Sequence, residues 1–410
     1  MLRIVTRGRG IPGVPGSSFS TEIFDRHKER KAFSNILRSK TPELVVVTGP
    51  RDTGKTRLIE SVMQETEKKD RFWWLHINMR DPVHHWTSVE AVYRSLLLTF
   101  TTAFYRYAVD AANTFLNSLR LSVPLGPTMS TANASWRLPP EHHGMEGSFE
   151  EMLSAAEKVM IGMKHSLWSG QYYPVLSFDD VEKMYSYLDN DNYPDGKKVL
   201  EIIREFFVKN TKEQENFHIV VTSTSSVHVR RFLRDIDGRA EVLVIGDLGK
   251  EDAKVFWEKY LPENYLPTDN PSIPVPSLQF DDVYNVFGGH MFHLKQCYLR
   301  GVRPESTTIV KMALVRWKQF VVPTSGSKKF KWSRESAIAV MDQLRENGSI
   351  QYAALKNSFG EELVDEMVKE HFLVYQPLPS LVDNDVEDPS HYPILTAPSP
   401  AHLWTLRKYF

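Results

Sequence analysis

Short apolar runs alternate with longer amphipathic segments between residues 21 and 247 of the chain. The runs are rich in β-branched and aromatic side chains, and they cover residues 44–48, 71–78, 172–180, 217–223 and 241–245. Continuous apolar runs of this length are typical of strands that are buried on both faces of a parallel sheet. The pattern therefore predicts an α/β fold of three layers, in which a ligand binds beyond the carboxyl ends of the strands.

From residue 248 onward the pattern is mainly helical. Residues 248–325 predict a helical lid that follows the α/β domain. The next elements are short helices and strand-like runs, predicted at 333–345, 352–358, 361–370 and 372–375, before a Pro- and Asp-rich hairpin. This order of elements is typical of a winged helix, which we predict over residues 326–410.

Two segments show little periodicity. Residues 120–148 contain several Pro and Gly residues and predict an exposed insertion in the core domain, which we place at 21–247. Residues 1–20 include three arginines, and no acidic residue precedes Glu22, as in mitochondrial transit peptides. Gly and Pro residues in the same segment would interrupt the helix that such a signal uses. The segment is therefore predicted to be either a targeting segment or a flexible leader, and the protein to be intracellular, in the cytoplasm or in mitochondria.

Composition and charge narrow the class of protein. The 410 residues carry a net charge of -1, so attraction to a polyanion would need a local basic patch. The single cysteine, Cys297, excludes an intramolecular disulfide and fits a reducing compartment. The longest apolar stretch, 91–116, is interrupted by Arg94, Arg106 and Asp110, which argues against a membrane span.

A complete phosphate-loop pattern, G-x-x-x-x-G-K-[ST], directly follows the first apolar run. Its residues are Gly49, Pro50, Arg51, Asp52, Thr53, Gly54, Lys55 and Thr56. We predict that these residues contact a nucleotide, together with Arg57 at the start of the next helix. The loop amides and the helix N-terminus point at a polyphosphate, and Lys55 supplies positive charge. Thr56 offers its hydroxyl to Mg²⁺. The alternative is a Gly-containing turn between a strand and a helix.

Two adjacent carboxylates end the third apolar run. Asp179 lies where a P-loop fold needs a carboxylate to hold Mg²⁺ opposite Thr56. Asp180 is the candidate that orients or polarises the attacking water, and with Lys55 it makes up the predicted catalytic pair. Taken alone, a strand that ends in Asp-Asp is equally consistent with a helix cap or a turn.

Further polar residues end the fourth run. The hydroxyls of Thr222 and Ser223 are placed to sense the γ-phosphate or the attacking water, although capping of a loop is the alternative. Arg230, Arg231 and Arg234 follow in a basic helix. We predict that they supply a charge to the transition state, in cis or across an oligomer contact, with a solvated helix face as the alternative.

These residues together resemble the STAND class of P-loop ATPases, in particular the archaeal-type ATPase family, over residues 22–300. The resemblance implies an AAA+-like core and binding of ATP and ADP. It also implies an adenine pocket that includes Phe24 and Arg26, which stand in a box before the first strand. Members of this class act as switches in which ADP keeps the core folded against the winged helix and ATP opens it.

The chain departs from the family's pattern at two positions. The family's Gly-Gly-x-Pro turn is Gly288-Gly289-His290-Met291 here, with methionine in place of proline. The fourth run ends in Thr222-Ser223-Thr224, without the arginine that related animal and plant switch proteins often have. Two alternatives follow: sensing of the nucleotide runs through Arg230 or Arg231, or it is weak.

The leading hypothesis is a Mg·ATP-dependent switch ATPase with slow hydrolysis and an unidentified protein partner, or self-association. A second is a nucleic-acid-bound ATPase, which Lys328, Lys329 and Lys331 favour. Against it stand acidic residues in the predicted wing, at Asp383, Asp385, Glu387 and Asp388, because nucleic-acid phosphates repel them. A small-molecule kinase and a nucleotide-binding scaffold without turnover complete the alternatives.

Overall fold

A computed structural model describes most of the chain. The described residues are 24–70, 73–79, 89–107, 114, 145–164, 173–188, 194–236, 238–265, 278–301, 303–321, 330–379 and 392–410. The predicted leader, most of the predicted insertion and the predicted wing hairpin lie outside these ranges.

A five-stranded parallel sheet forms the centre of the core, as the apolar runs predict. Its strands are β1 (Leu44–Thr48), β2 (Trp74–Asn78), β3 (Val175–Asp179), β4 (His218–Ser223) and β5 (Glu241–Val244). Their order across the sheet is β2-β3-β4-β1-β5. Because β4 lies between β1 and β3, the ends of these three strands share one edge, with Thr48 beside Ser223.

Helices cover both faces of the sheet, which makes the predicted three layers. On one face lie α1 (His27–Leu37) and α2 (Lys55–Asp70), packed on the side chains of Val45 and Val47. The other face carries a larger set, namely α3 (Val89–Tyr107), α4 (Met145–Lys164), α5 (Glu182–Leu188), α6 (Pro194–Val208) and α7 (Ser226–Asp235). Every residue of β1, β3 and β4 is buried, as expected of strands covered on both faces.

Helix α4 begins earlier than the sequence pattern indicates. Residues 145–148 were predicted to belong to an exposed insertion, but they form its first turn. Phe149 and Met152 are fully buried and anchor this end of the helix against the core. Such burial outweighs the cost of about 1 kcal/mol for glycine within a helix, so Gly147 does not end the element.

A helical segment follows β5. It contains α8 (Lys250–Val255), which continues through a π-helical turn into α9 (Leu261–Asn264), then α10 (Phe280–Phe287), α11 (Met291–Arg300) and α12 (Thr308–Val321). Its core includes Leu248, Phe256, Phe287 and Leu294, and it also takes in Ala401 from the end of the chain. The helical lid predicted for this part of the sequence therefore packs directly against the C-terminal segment.

The C-terminal segment combines helices with a small antiparallel sheet. Its helices are α13 (Arg334–Asn347), α14 (Tyr352–Phe359), α15 (Glu361–Lys369) and α16 (Pro400–Tyr409), and its strands are β6 (Ser349–Gln351), β7 (Val374–Gln376) and β8 (Ile394–Thr396). The strand order is β6-β8-β7. Trp317 of α12 is fully buried in this segment's core, where it packs edge-on against Phe372. The fold is thus a P-loop core followed by helical and C-terminal domains.

Within the described residues, every helix is too short or too polar to traverse a lipid bilayer.

Candidate functional site

The loop between β1 and α2 curls tightly at the edge where the strands end. Gly49 has φ 144°, and a Cβ at this position would lie 2.1 Å from the carbonyl oxygen of Ile245. Only glycine fits here, since any side chain would collide with the backbone after β5. Gly54 also has a positive φ, 89°, at the turn into α2. The two glycines therefore give the loop the conformation that the phosphate-loop pattern predicts.

Lys55 lies inside this loop. Its side chain is buried, and Nζ donates hydrogen bonds to the carbonyl oxygens of Gly49 (3.0 Å) and Pro50 (2.6 Å). A buried ammonium needs such partners, because an uncompensated charge is costly away from water. A polyphosphate in the loop would offer stronger, charged acceptors to the same group.

Thr56 at the start of α2, Asp179 at the end of β3 and Thr222 near the end of β4 form one hydrogen-bonded group. The hydroxyl of Thr56 donates to Oδ2 of Asp179 (2.9 Å) and lies 3.2 Å from Oδ1. The hydroxyl of Thr222 donates to Oδ1 of the same carboxylate. Asp179 is only 2% exposed, so its charge is held in place by these hydroxyls rather than by solvent. The structure thus brings together the two residues predicted to hold Mg²⁺.

The residue pair Thr56 and Asp179 fits a magnesium ion that is shared with a nucleotide. A hydroxyl and a carboxylate are the oxygen donors that Mg²⁺ takes from proteins, and the rest of its coordination comes from water and phosphates. Among the described residues, no group of three or more His, Cys, Asp or Glu side chains could hold a metal ion by itself. Water and phosphates would supply the other ligands of an ion at this pair.

Asp180 follows in a left-handed backbone conformation, with φ 59°. Its N–H donates to the hydroxyl of Thr222 at 2.9 Å, and the next N–H, of Val181, donates to the carbonyl oxygen of Thr222 at 3.0 Å. Both bonds fix the turn that carries the second carboxylate. A non-glycine residue with positive φ is uncommon and often marks a functional turn.

The structure separates the two predicted hydroxyl sensors. Thr222 contacts both aspartates, whereas the hydroxyl of Ser223 accepts a hydrogen bond from the N–H of Ser225 (3.1 Å) and forms the local turn. Glu182, which the sequence reasoning missed, accepts a bond from the hydroxyl of Thr224 at 2.6 Å. No sequence motif marked Glu182, because its partner is on a different strand end.

Arg26 is hydrogen-bonded to the backbone of the phosphate loop. It is buried, and its guanidinium donates to Glu29 (2.8 Å from Nε to Oε1), to the carbonyl oxygen of Thr53 (2.7 Å) and to that of Gly246 (2.9 Å). These bonds tie the segment before β1 to both the loop and the residues after β5. Sequence reasoning missed Glu29, although its spacing of three from Arg26 at a helix start was a usable signal.

A family model for an ATPase domain predominantly from Archaea matches residues 23–297, more than half of the chain. The chain belongs to this archaeal ATPase family. Among its relatives is the uncharacterized ATP-binding protein MJ1659 of Methanocaldococcus jannaschii, with 22% identity over 59% of this chain and 64% of the relative. Another from the same organism, MJ0801, is 22% identical over 61% of this chain and 66% of its own length. The matches thus span just under two thirds of these relatives. A solved structure of the Aeropyrum pernix ORC2 protein aligns over 94% of both chains, with 8% identity and a TM-score of 0.41.

The other residues predicted to contact the nucleotide lie at the surface of this ATPase domain or against the lid. Phe24 packs edge-on against Phe256 and Tyr260, at centroid distances of 5.2 and 5.6 Å, so it joins the lid to the domain's first segment. Arg51 and Asp52 are exposed at the tip of the loop. Arg57 faces solvent and lies 3.6 Å from Glu60.

The glycine pair of the lid lies close to the segment that follows β5. A Cβ on Gly289 would lie 1.8 Å from the carbonyl oxygen of Leu248, and the N–H of Leu248 donates to the carbonyl oxygen of Gly289 at 3.0 Å. Met291, which replaces the family's proline, places its sulfur 3.9 Å from the Cβ position of Gly54. The lid turn therefore lies against the phosphate loop although the proline is missing.

Arg230 and Arg231 have different surroundings. Arg230 is 14% exposed and forms ion pairs with Glu361 and Asp365 of α15. Its guanidinium also lies 4.4 Å from the ring centroid of Tyr352. Arg231 is exposed on the same helix. The geometry thus directs Arg230 toward the C-terminal domain, and these partners were not foreseen from the sequence.

Proposed function

We propose that this archaeal-type ATPase is a switch of the STAND type, which binds Mg·ATP, hydrolyses it slowly and couples the bound nucleotide to a change in domain contacts. The observation that carries the proposal is the group formed by Thr56, Asp179 and Thr222 beside the buried Lys55. This arrangement supplies a cation for the phosphates and oxygen donors for a metal ion in one place, as phosphoryl transfer requires.

Each residue has a distinct role in the proposed reaction. Lys55 and the backbone N–H groups of the loop would hold the β- and γ-phosphates. Thr56 and Asp179 would hold Mg²⁺, which when bound offsets negative charge on the phosphates. Asp180 orients the attacking water and accepts its proton. Thr222 bonds to the carboxylate of Asp179 and to the backbone N–H of Asp180, so it is placed to relay a change at either residue to β4.

The switch is proposed to use the contact between α7 and the C-terminal domain, which we interpret as a winged helix. Helix α7 starts three residues after Ser223 at the end of β4, and it carries Arg230 into the acidic face of α15. A shift of Thr222 with the state of the nucleotide would therefore be transmitted to Arg230. For this to work, ATP and ADP must bind the closed and open forms with different affinities.

Of the lysines that favour the nucleic-acid alternative, Lys328 and Lys329 lie outside the described residues, and Lys331 is exposed. Helix α15, directly before strand β7, has the acidic residues Glu361, Glu362, Asp365 and Glu366 on its first two turns. Two of these face Arg230. A helix with this charge repels nucleic-acid phosphates. We therefore assign the C-terminal domain to protein contacts, within the chain or with a partner.

The switch is tested by hydrogen–deuterium exchange on the full chain with MgADP and with a non-hydrolysable Mg·ATP analogue. We expect residues 226–235 and 361–369 to exchange faster with the ATP analogue, because the contact between them opens. Phosphate release in buffer without an acceptor should be slow but measurable. Identical exchange in both states, with both nucleotides bound, would rule out the switch.

A further inference from the structure

Three histidines meet where the lid contacts the last helix. His290 precedes α11 directly after Gly288-Gly289, and His293 is one turn further along. Helix α16 begins beside this turn, since Pro400 Cγ lies 3.1 Å from the Cβ position of Gly288. His402 belongs to the first turn of α16. The cluster therefore lies on the contact between the lid and the C-terminal domain.

The two lid histidines are stacked in a way that favours neutral rings. Their ring centroids are 3.9 Å apart and their planes differ by 15°. In both rings Nδ1 is buried and has no hydrogen-bond partner among the described residues. His290 as a whole is 6% exposed. A proton on His293 would place a charge against the ring of His290, away from water and without an acceptor.

The groups that surround the cluster add further positive charge. Burial, His290 and His402 lower the pKa of His293 to about 3, and burial and Arg316 of α12 lower that of His402 to about 4. Behind Arg316 lies His371, whose pKa is lowered by burial, by Arg316 and by Arg51 of the phosphate loop. Glu370, which acts in the opposite direction on His371, is the one acidic group in this set, and it lies beyond Arg316.

We propose that His293 and His402 form a pH-sensitive contact that holds α16 on the lid when their rings are neutral and releases it when they are protonated. The ring of His402 is held by Ser399, whose hydroxyl lies 2.8 Å from Nδ1, while Trp317 donates its indole N–H to the carbonyl oxygen of His402 at 2.8 Å. Helix α16 therefore stays on α12, and its contact with α10 and α11 is the one that opens.

The direction of the pH effect follows from comparing a ring in the closed contact with the same ring released into water. A histidine that is released into water titrates near 6.5, while in the closed contact it stays neutral at lower pH. The closed contact is therefore fully favoured above pH 6.5 and weakens as the pH falls toward 4. The released ring of His293 changes the open-to-closed ratio by about tenfold per pH unit in this window.

A link from this contact to nucleotide exchange rests on the proposed switch, but the pH response itself does not. Because Met291 of the same lid turn packs on Gly54 of the phosphate loop, opening of α16 would weaken the lid over a bound nucleotide. Acidification is then expected to speed the release of ADP. The pH response and its link to nucleotide exchange can be tested independently, since opening of the contact can be measured without any nucleotide.

The experiment is hydrogen–deuterium exchange of the full chain at pH 7.5 and 5.5, corrected for the chemical rate at each pH. We expect the segments 280–300 and 400–409 to exchange at least tenfold faster at pH 5.5, while strands β1 and β4 keep their rates. The double variant His293→Gln, His402→Gln should lose most of this excess. His27→Gln is the control, because His27 is highly exposed, at 87% of its side chain.

Two results would overturn the inference. One is equal corrected exchange at both pH values in the wild-type chain, and the other is the same excess in the double variant as in the wild type. If the double variant does not fold, NMR titration of isotope-labelled histidines in the wild type decides. The inference is contradicted if the histidine resonances of the cluster titrate near pH 6.5 in the closed protein. Binding of fluorescent MgADP at pH 7.5 reports separately on the proposed function.

Discussion

Two charged clusters of this protein differ in how they are held. At the ends of β1, β3 and β4, Lys55 and Asp179 are 6% and 2% exposed, and their partners are the loop backbone and two hydroxyls. At the contact of α7 with α15, the acids that hold Arg230 are Glu361 and Asp365, which are 38% and 35% exposed. The first cluster is enclosed by the fold, while the second depends on the docking of one domain on another.

This difference sets what each cluster can do. Enclosed charges have little water to compensate them, so their positions are fixed and a ligand of opposite charge is bound strongly. Charges at a partly exposed contact lose little when they separate, because water solvates them again. The strand ends are therefore suited to holding a nucleotide, and the α7–α15 contact to opening and closing.

The largest expected effect is on turnover and comes from Asp180→Asn. If Asp180 orients and deprotonates the attacking water, the rate of hydrolysis should fall by about 10²–10⁴-fold while nucleotide affinity is kept. Asparagine adopts the left-handed conformation as readily as aspartate, so the turn should survive. Single-turnover hydrolysis and equilibrium binding measure the two quantities. Unchanged hydrolysis would mean that the site acts as a scaffold or uses another base.

Next in size is the loss of affinity in Lys55→Ala. Removing the ammonium eliminates its charge-assisted bonds to the phosphates, each worth about 1.5–3 kcal/mol, and ATP should bind roughly ten- to a hundredfold more weakly. Lys31→Ala is the matched control, because Lys31 is exposed on α1. Titration with a fluorescent ATP analogue gives both affinities. Equal ATP affinities in the two variants would show that the phosphate loop is not part of the ATP-binding site.

The enclosed region could be predicted from the sequence in some detail. The loop pattern fixes which residues surround Lys55, and a carboxylate after an apolar run locates Asp179, because both are local features of the chain. The order of strands is not local. Only the placement of β4 between β1 and β3 shows that Thr222 contacts Asp179 while Ser223 turns away into the loop.

The domain contact could not be predicted from the sequence. Arg230 and Glu361 are 131 residues apart, and nothing in the local pattern relates them. Sequence reasoning assigned Arg230 to the nucleotide on the basis of its distance from β4, and the fold directs it to Glu361 and Asp365 instead. Short helices after residue 332 were predicted within two residues of their observed ends, since amphipathic periodicity is itself local.

A third prediction concerns the turn that joins the lid to the core. In Gly289→Ala the added methyl would collide with the carbonyl oxygen of Leu248, and we expect the free energy of unfolding to fall by about 1–3 kcal/mol. Gly162→Ala is the control, because a Cβ there meets nothing within 4 Å. In a helix that change should stabilise by up to about 1 kcal/mol. Equal stability of both variants in thermal unfolding would show that the lid turn is not held against the core.

The smallest expected effect is at the domain contact. Arg230→Ala removes a partly exposed charge pair and a contact with Tyr352, and should weaken docking of the C-terminal domain by about 1 kcal/mol. Arg231→Ala on the same helix should have little effect. Limited proteolysis of the full chain compares the two, with faster cleavage between the domains expected in Arg230→Ala alone. Equal cleavage would show that the ion pairs do not hold the domains together.

The central claim is that Thr56 and Asp179 hold a magnesium ion together with a bound nucleotide. It is tested most directly by measuring ATP affinity with and without Mg²⁺, in the wild type and in Asp179→Asn. We predict that Mg²⁺ strengthens binding at least tenfold in the wild type and has little effect in Asp179→Asn. An equal effect of Mg²⁺ on both proteins, or no binding of ATP by the wild type, would contradict the account.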